Sequence, residues 1–289
     1  MKEDRQALRM LIGSMVIFGT VGVFRRWIAL PSASVAAARG IVGAAFLLIT
    51  LAARKQKLSR SGIRQNLALL LLSGAAMGAN WIALFEAYRF TSVAVATLCY
   101  YMAPVFVLLL APVLLRERLT LRKGLCAAAA LIGMALVSGV VGGGVDSAKG
   151  VLPALLAAAL YAAVVLMNKR MRPVPGADRA VVQLLTAGVV VLPYALLSRA
   201  GEPAAPDVRS VLLLAVICIV HTGLAYALYF GSVDHLRAQT LALLSYIDPV
   251  VAVLLSAIVL REPLTLLTVF GAVLILGAAA LGELPEQKK

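Results

Sequence analysis

Three ionisable side chains lie inside apolar stretches that are long enough to cross a membrane: Asp248, His221 and Arg39. A carboxylate at such a depth can bind an amine or carry a proton, and an imidazole can relay that proton. A guanidinium can hold a carboxylate. Charged groups are costly inside a bilayer, so each of the three is a candidate functional residue. The alternative is a set of satisfied polar groups that only pack helices together.

Spacing along the helices predicts the depth of these groups. At about 1.5 Å per residue, Asp248 and His221 each lie roughly 15 Å from the same end of two helices that are joined by a short turn. We therefore expect the two side chains to be able to meet. Arg39 lies roughly 10 Å from the start of its helix, close enough to extend to the interface. It could instead hold a substrate carboxylate or pair with an acid. If Arg39 and Asp248 share one cavity, a zwitterion such as an amino acid would fit.

Aromatic and amide side chains near the middle of the spans could form an amphipathic wall around a solute. Some of them must instead be ordinary core. The candidates are Asn80, Trp81, Tyr100, Tyr101, Tyr161, Tyr226 and Tyr246. Tyr101 and Tyr246 each precede a proline, Pro104 and Pro249, which should kink the helix because it removes a backbone hydrogen bond. Such kinks could act as hinges or be static bends.

Composition explains why helices should position these residues. The chain has 289 residues, is 62% apolar and 14% charged, and has a mean hydropathy of +0.97. A fold soluble in water carries about a quarter charged residues. The sequence contains ten candidate membrane spans of roughly 20 residues each, and this number of apolar spans predicts an all-α integral membrane protein. They run over about 7–26, 32–52, 66–88, 91–114, 121–140, 150–169, 179–198, 209–230, 238–260 and 266–282.

The net charge of +14 is better explained by membrane orientation than by nucleic acid. When the chain alternates through ten spans from a cytoplasmic N-terminus, most of the 27 lysines and arginines fall on the cytoplasmic side. The positive-inside rule then places both termini in the cytoplasm. We expect a lipid bilayer as the surroundings and no nucleic-acid partner.

The chain also repeats itself at a spacing of half its length. Tyr101 and Pro104 correspond to Tyr246 and Pro249. The run Arg116, Glu117, Leu119 and Thr120 corresponds to Arg261, Glu262, Leu264 and Thr265. We predict two five-helix repeats, residues 1–145 and 146–289. Because five is odd, the second repeat should be inverted, an architecture common in secondary transporters.

These features resemble the EamA family of the drug/metabolite transporter superfamily. The resemblance rests on the two repeats, on Pro104 and Pro249, on the Glu-x-Leu-Thr runs at Glu117 and Glu262, and on Arg39 in the second helix. It implies a monomeric exporter of small metabolites, such as amino acids, in the bacterial inner membrane, working by alternating access. Asp248 directly before the proline departs from the general pattern and could report on substrate or coupling.

Several other classes lack their sequence signals. There is no Walker-type loop, no spacing typical of a metal site, and no nucleophile elbow. We therefore expect no cofactor, no metal and no enzyme activity. We expect a small-molecule substrate, and its transport could be coupled to protons. A multidrug or organic-cation exporter remains an alternative, as does an intramembrane enzyme or channel using Asp248 and His221.

Overall fold

A computed structural model describes residues 5–114, 121–137, 145–197, 207–233, 235–236 and 244–283, and every regular element within these ranges is helical. The first-half helices are α1 (Arg5–Arg26), α2 (Ser32–Ala53), α3 (Arg60–Gln65), α4 (Leu67–Phe90), α5 (Val93–Tyr100), α6 (Ala103–Leu114) and α7 (Leu121–Val137). The second-half helices are α8 (Val145–Arg170), α9 (Gly176–Leu197), α10 (Val208–Val216), α11 (Ala225–Val233), α12 (Ile247–Ile258) and α13 (Leu266–Glu283). A π-helical segment, Ile217–Leu224, links α10 to α11.

Six helical stretches among the described residues are long and apolar enough to cross a membrane. They are Arg5–Arg26, Ser32–Ala53, Leu67–Phe90, Ala148–Arg170, Gly176–Leu197 and Val208–Tyr229. Four shorter apolar helices, Val93–Val107, Gly124–Val137, Ile247–Ile258 and Leu266–Ala278, overlap the other predicted spans. The all-helical membrane architecture is confirmed, while the count of ten spans stays a prediction.

Two predicted spans are interrupted in front of a proline. The fourth span is divided: α5 ends at Tyr100, and α6 begins at Ala103, one residue before Pro104. Residues 244 and 245 are helical, Tyr246 forms a turn, and α12 begins just before Pro249. Proline fits the first turn of a helix because the amide it lacks has no partner there. The interruptions therefore lie at the residues just before the prolines.

The eighth predicted span contains the π-helical segment, which no sequence signal indicated. In a π-helix the main-chain hydrogen bonds join residues five positions apart, one more than in an α-helix. The hydroxyl of Thr222 likewise donates to the carbonyl of Ile217, five positions back. The wider turn brings consecutive side chains to the interior, since His221, Thr222 and Gly223 are all buried.

The core lies between the two halves of the chain. Helix α4 packs against α8 and α9, α2 packs against α9, α7 against α13, and α1 against α11 and α12. Glycine allows the close contacts, as the sequence predicts for helix packing in lipid. A Cβ on Gly40 of α2 would lie 2.5 Å from the backbone nitrogen of Gly188 in α9.

Candidate functional site

Asp248 lies in the first turn of α12 and contacts the interrupted helix of the other half. The hydroxyl of Tyr101 donates a hydrogen bond to Asp248 Oδ2 at 2.9 Å and lies 3.4 Å from the carbonyl oxygen of Ser245. That carbonyl is the one to which an amide at position 249 would donate in a continuous helix, and Pro249 has no amide proton to offer. The interruption before Pro249 thus presents both a carboxylate and a main-chain oxygen to Tyr101.

Helix α1 closes the opposite side of Asp248. A Cβ on Gly19 would lie 2.6 Å from the main-chain oxygen of Asp248 and 2.7 Å from Cβ of Val251. Real Cβ atoms do not approach this closely, so only glycine allows α1 to pack here against the first turn of α12. The position of the carboxylate therefore depends on a residue more than half the chain away.

Arg39 lies in the bundle interior, so the possibility that it extends to the interface is wrong. Its side chain is buried at 6% exposure. Nε donates to Thr222 Oγ1 at 2.8 Å, and the guanidinium carbon lies 4.5 Å from the ring centroid of Trp81. A cation over an indole ring is stabilised by about 0.5–2 kcal/mol, more when water is excluded. Trp81 and Thr222 together hold the guanidinium in place.

Arg39 and Asp248 are held by different partners and do not pair with each other. No ion pair within 4.0 Å joins them among the described residues. Arg39, from the first half, is held by Thr222 and Trp81, whereas Asp248, from the second half, accepts from Tyr101.

His221 does not meet Asp248, contrary to the expectation from their depths. Its Nε2 lies 2.7 Å from Thr20 Oγ1, its Nδ1 lies 3.4 Å from the carbonyl oxygen of Val216, and its ring centroid is 4.8 Å from that of Phe24. Similar depth on two helices does not fix the direction in which each side chain points. The π-helical turn directs His221 toward α1 instead.

Four of the tyrosines predicted to line a solute site form a chain of ring contacts. Tyr161, Tyr100, Tyr101 and Tyr246 follow one another with centroid separations of 5.6, 6.2 and 6.3 Å. Tyr226 packs edge-on against Phe18 at 5.4 Å and lies within electrostatic range of Arg39. Tyr101 connects this chain of tyrosines to Asp248, and Trp81 lies beneath the guanidinium of Arg39.

Asn80 has a defined packing role. It is 1% exposed, and its amide nitrogen donates to the main-chain oxygen of Ala157 in α8. This bond ties α4 to α8 next to the aromatic chain, because Tyr161 lies one turn further along α8. Its other amide atom, Oδ1, is buried without a hydrogen-bond partner within the described part of the chain.

Sequence reasoning missed the residues that hold the charged groups. Thr20 and Thr222 are single hydroxyl residues in apolar helices, a pattern too common to single them out. Arg25 falls within the first predicted span but was not singled out; it lies in the last turn of α1 and is 3% exposed. Of the two glutamates in the repeated Glu-x-Leu-Thr runs, Glu262 lies 3.8 Å from Arg26, and Glu117 lies outside the described residues.

Within the described ranges, no cluster of three or more histidine, cysteine, aspartate or glutamate side chains could hold a metal ion.

Known proteins share both the sequence and the fold. The EamA-like transporter family matches residues 6–139 and 148–282. "Uncharacterized transporter YxxF" of Bacillus subtilis (strain 168) is 28% identical over 291 residues, which is 100% of this chain and 93% of that protein. "Protein PecM" of Dickeya dadantii (strain 3937) is 29% identical over 216 residues, 73% of this chain and 71% of that protein.

A solved crystal structure has the same fold, with a TM-score of 0.66 and 23% identity over 96% of this chain and 97% of its own. The matched family regions and these relatives together cover nearly the whole sequence. The chain belongs to the EamA-like transporter family and is a membrane transporter of the drug/metabolite transporter superfamily.

Proposed function

We propose that this protein is a secondary active transporter that exports small zwitterionic metabolites, such as amino acids, across the bacterial inner membrane. Arg39 binds the substrate carboxylate, and Asp248 binds its amine. The observation that carries the proposal is that each charge is held by neutral partners, Arg39 by Thr222 and Trp81 and Asp248 by Tyr101, and that the two form no ion pair with each other. A zwitterion between them would supply each charge with the partner that it lacks.

The surrounding residues support a small organic solute. Pockets for such solutes combine apolar and aromatic walls with a few placed polar groups. The tyrosine chain ending at Tyr246 supplies the wall, and Trp81 lies against the guanidinium. Tyr226 and Asn80 complete the proposed lining. His221 is assigned a supporting role, because its contacts are with Thr20 and Val216.

Alternating access would use the two interrupted helices. Transporters with inverted repeats often place substrate at discontinuous helices near the midplane, and the two repeats then rock about that site. The interruptions before Pro104 and Pro249 are joined by the bond from Tyr101 to Asp248. We propose these prolines as hinge positions, in a monomer with both termini in the cytoplasm.

Counterflow in proteoliposomes tests the proposal. Vesicles loaded with an unlabelled amino acid should accumulate the same labelled amino acid transiently, which a channel or an enzyme would not produce. Arg39→Gln and Asp248→Asn should each reduce apparent affinity by at least tenfold. Glu86→Gln is the matched control, because Glu86 forms an exposed pair with Arg89. Unchanged affinity in both site variants would overturn the assignment.

Proton coupling and an organic-cation substrate are the alternative readings of Asp248. If Asp248 carries a proton, Asp248→Asn should abolish transport driven by a pH gradient while counterflow continues. An organic cation would leave Arg39 without a counter-charge, so its transport should not fall in Arg39→Gln. A screen of amino acids and organic cations for thermal stabilisation distinguishes the two substrate classes.

A further inference from the structure

A cavity lies apart from the residues of the proposed substrate site, at the end of the bundle where α1 ends and α2 begins. Its volume is about 400 Å³, and its lining includes Arg25, Arg26, Ala29, Phe85, Tyr88 and Arg89. Cavities that hold small molecules span roughly 300–1,000 Å³, so a solute of a few to about ten heavy atoms would fit.

The charges around this cavity do not balance. Arg89 is paired with Glu86 at 3.1 Å, and Arg26 lies 3.8 Å from Glu262. Arg25 forms no ion pair with any described residue. The cavity therefore has one positive charge in excess, which an anion of charge −1 would neutralise.

Arg25 is held rigidly for such a contact. Nη1 donates to the carbonyl of Ile28 at 2.9 Å, and Nη2 donates to the carbonyl of Leu30 at 3.2 Å and to Ser32 Oγ at 2.9 Å. The side chain is 3% exposed, and Nε is buried without a hydrogen-bond partner in the described part of the chain. A guanidinium fixed in this way loses little further freedom when it binds a ligand.

Phe85 separates this cavity from the proposed substrate site. Its ring centroid lies 5.7 Å from the guanidinium carbon of Arg25 and 5.9 Å from that of Arg39. Two buried arginines thus flank one aromatic side chain, one in each site. Phe85 and Tyr88 also offer the cavity aromatic surface against which a flat organic group can pack.

We propose that the cavity at Arg25 is a second binding site, for a small organic carboxylate. The binding itself is independent of transport. Its biological placement rests on the proposed function, because the proposed orientation puts the cavity on the outer face, where an exported carboxylate leaves the protein.

Benzoate is a suitable probe, since it combines one carboxylate with one flat ring. With the purified full-length protein in detergent, benzoate should raise the melting temperature in a saturable way.

Ala29→Trp should weaken the apparent affinity for benzoate at least tenfold by filling the cavity, and Arg25→Gln should do the same by removing the charge. Ala29→Trp leaves the Arg25 hydrogen bonds in place, so the test survives if Arg25→Gln fails to fold. Arg209→Gln, whose guanidinium packs over Trp27 outside the cavity lining, is the matched control and should bind benzoate as the parent protein does.

Three outcomes would overturn the proposal. The first is an absence of saturable benzoate binding, and the second is unchanged binding in Ala29→Trp. The third is stabilisation by phosphatidylglycerol nanodiscs that is lost in both Arg25→Gln and Ala29→Trp while benzoate has no effect, which would assign the cavity to a lipid headgroup. Loss of amino-acid counterflow with benzoate binding retained would count against the proposed function alone.

Discussion

The hydroxyl of Tyr101 donates a 2.9 Å hydrogen bond to Asp248, which lies 147 residues further along the chain. Tyr101 lies in the interruption before Pro104, and Asp248 follows the interruption before Pro249. The two interrupted helices therefore meet where each has lost regular main-chain hydrogen bonding. A side-chain hydrogen bond at that point connects the two halves of the chain.

Replacement of Tyr101 by phenylalanine should destabilise this junction. A hydrogen bond to a charged group contributes about 1.5–3 kcal/mol, and the ring packing against Tyr246 is retained. We expect Tyr101→Phe to lower the free energy of unfolding by about that amount, measured by denaturation in detergent. Tyr194→Phe is the control, because Tyr194 is 58% exposed and should tolerate the change. Equal stability of the two variants would show that the bond contributes little.

The contact between α1 and Asp248 should be sensitive to a single methyl group. Gly19→Ala places a Cβ 2.6 Å from the main-chain oxygen of Asp248, which forces the helices apart. Overpacking of this kind costs about 1–3 kcal/mol. Gly13→Ala, in the same helix, meets nothing within 4 Å and should be neutral or slightly stabilising. The comparison is made on the melting temperature and on the yield of folded protein. Similar values for the two variants would contradict the close approach.

Thr20 should be needed to satisfy His221. Thr20→Val keeps the shape of the side chain but removes the oxygen 2.7 Å from His221 Nε2. A buried polar group left without its partner costs about 1–3 kcal/mol. Thr20→Ser restores the hydroxyl and should recover most of the stability measured by thermal denaturation. If valine and serine behave alike, the imidazole is satisfied in another way.

Glu262 should matter as a hydrogen-bond acceptor more than as a charge. Its Oε2 accepts from the amide of Val93 at 2.8 Å and from the hydroxyl of Ser256, while Arg26 lies 3.8 Å from Oε1. Glu262→Gln keeps an acceptor and should cost less than about 1 kcal/mol. Glu262→Ala removes it and should cost about 1–3 kcal/mol.

Glu86→Ala provides the comparison for Glu262, since it breaks an ion pair at the surface. Exposed ion pairs contribute about 0–1 kcal/mol, so this variant should stay close to the parent protein in chemical denaturation. A loss in Glu262→Gln as large as that in Glu262→Ala would instead assign the effect to the charge.

Asp207 should make the start of α10 sensitive to acid. Its Oδ1 accepts from the amide of Ser210 at 2.9 Å, and the hydrogen bonds from Ser210 lower the pKa of this exposed carboxyl. A carboxyl whose pKa is lowered by folding adds stability above its unfolded pKa, and that stability disappears as the pH falls through the folded pKa. The melting temperatures of the parent protein and Asp207→Ala should therefore converge in acid. A difference that is constant from neutral pH to below the usual aspartate range would exclude this linkage.

The overall class of the protein could be predicted from the sequence because bilayer thickness imposes a simple constraint. Apolar runs of about 20 residues must be helices, and the positions of those runs are visible in the composition. The ends of α1, α2 and α9 fall close to the predicted bounds for that reason. The two repeats, with Pro104, Pro249 and the Glu-x-Leu-Thr runs, also indicated the family.

The interruptions and the π-helical segment are harder to predict from local sequence. Proline marks where a helix is disturbed, but whether it bends or breaks depends on what can replace the lost hydrogen bonds. At Ser245 the hydroxyl of Tyr101, in the other half of the chain, lies 3.4 Å from the freed carbonyl oxygen. The π-helical segment around His221 contains no proline that would mark it in the sequence. Within it, Thr222 accepts a hydrogen bond from Arg39 and donates one to the carbonyl of Ile217.

The sequence by itself determined which residues are apolar, which few ionisable groups lie among them, and how far each lies along its helix. Tertiary structure alone decided which of these groups meet. His221 contacts Thr20 instead of Asp248, Arg39 stacks on Trp81 inside the bundle, and Arg25 lines a cavity of its own. Spacing along a helix fixes depth, whereas the direction of a side chain and its neighbours depend on how distant helices pack.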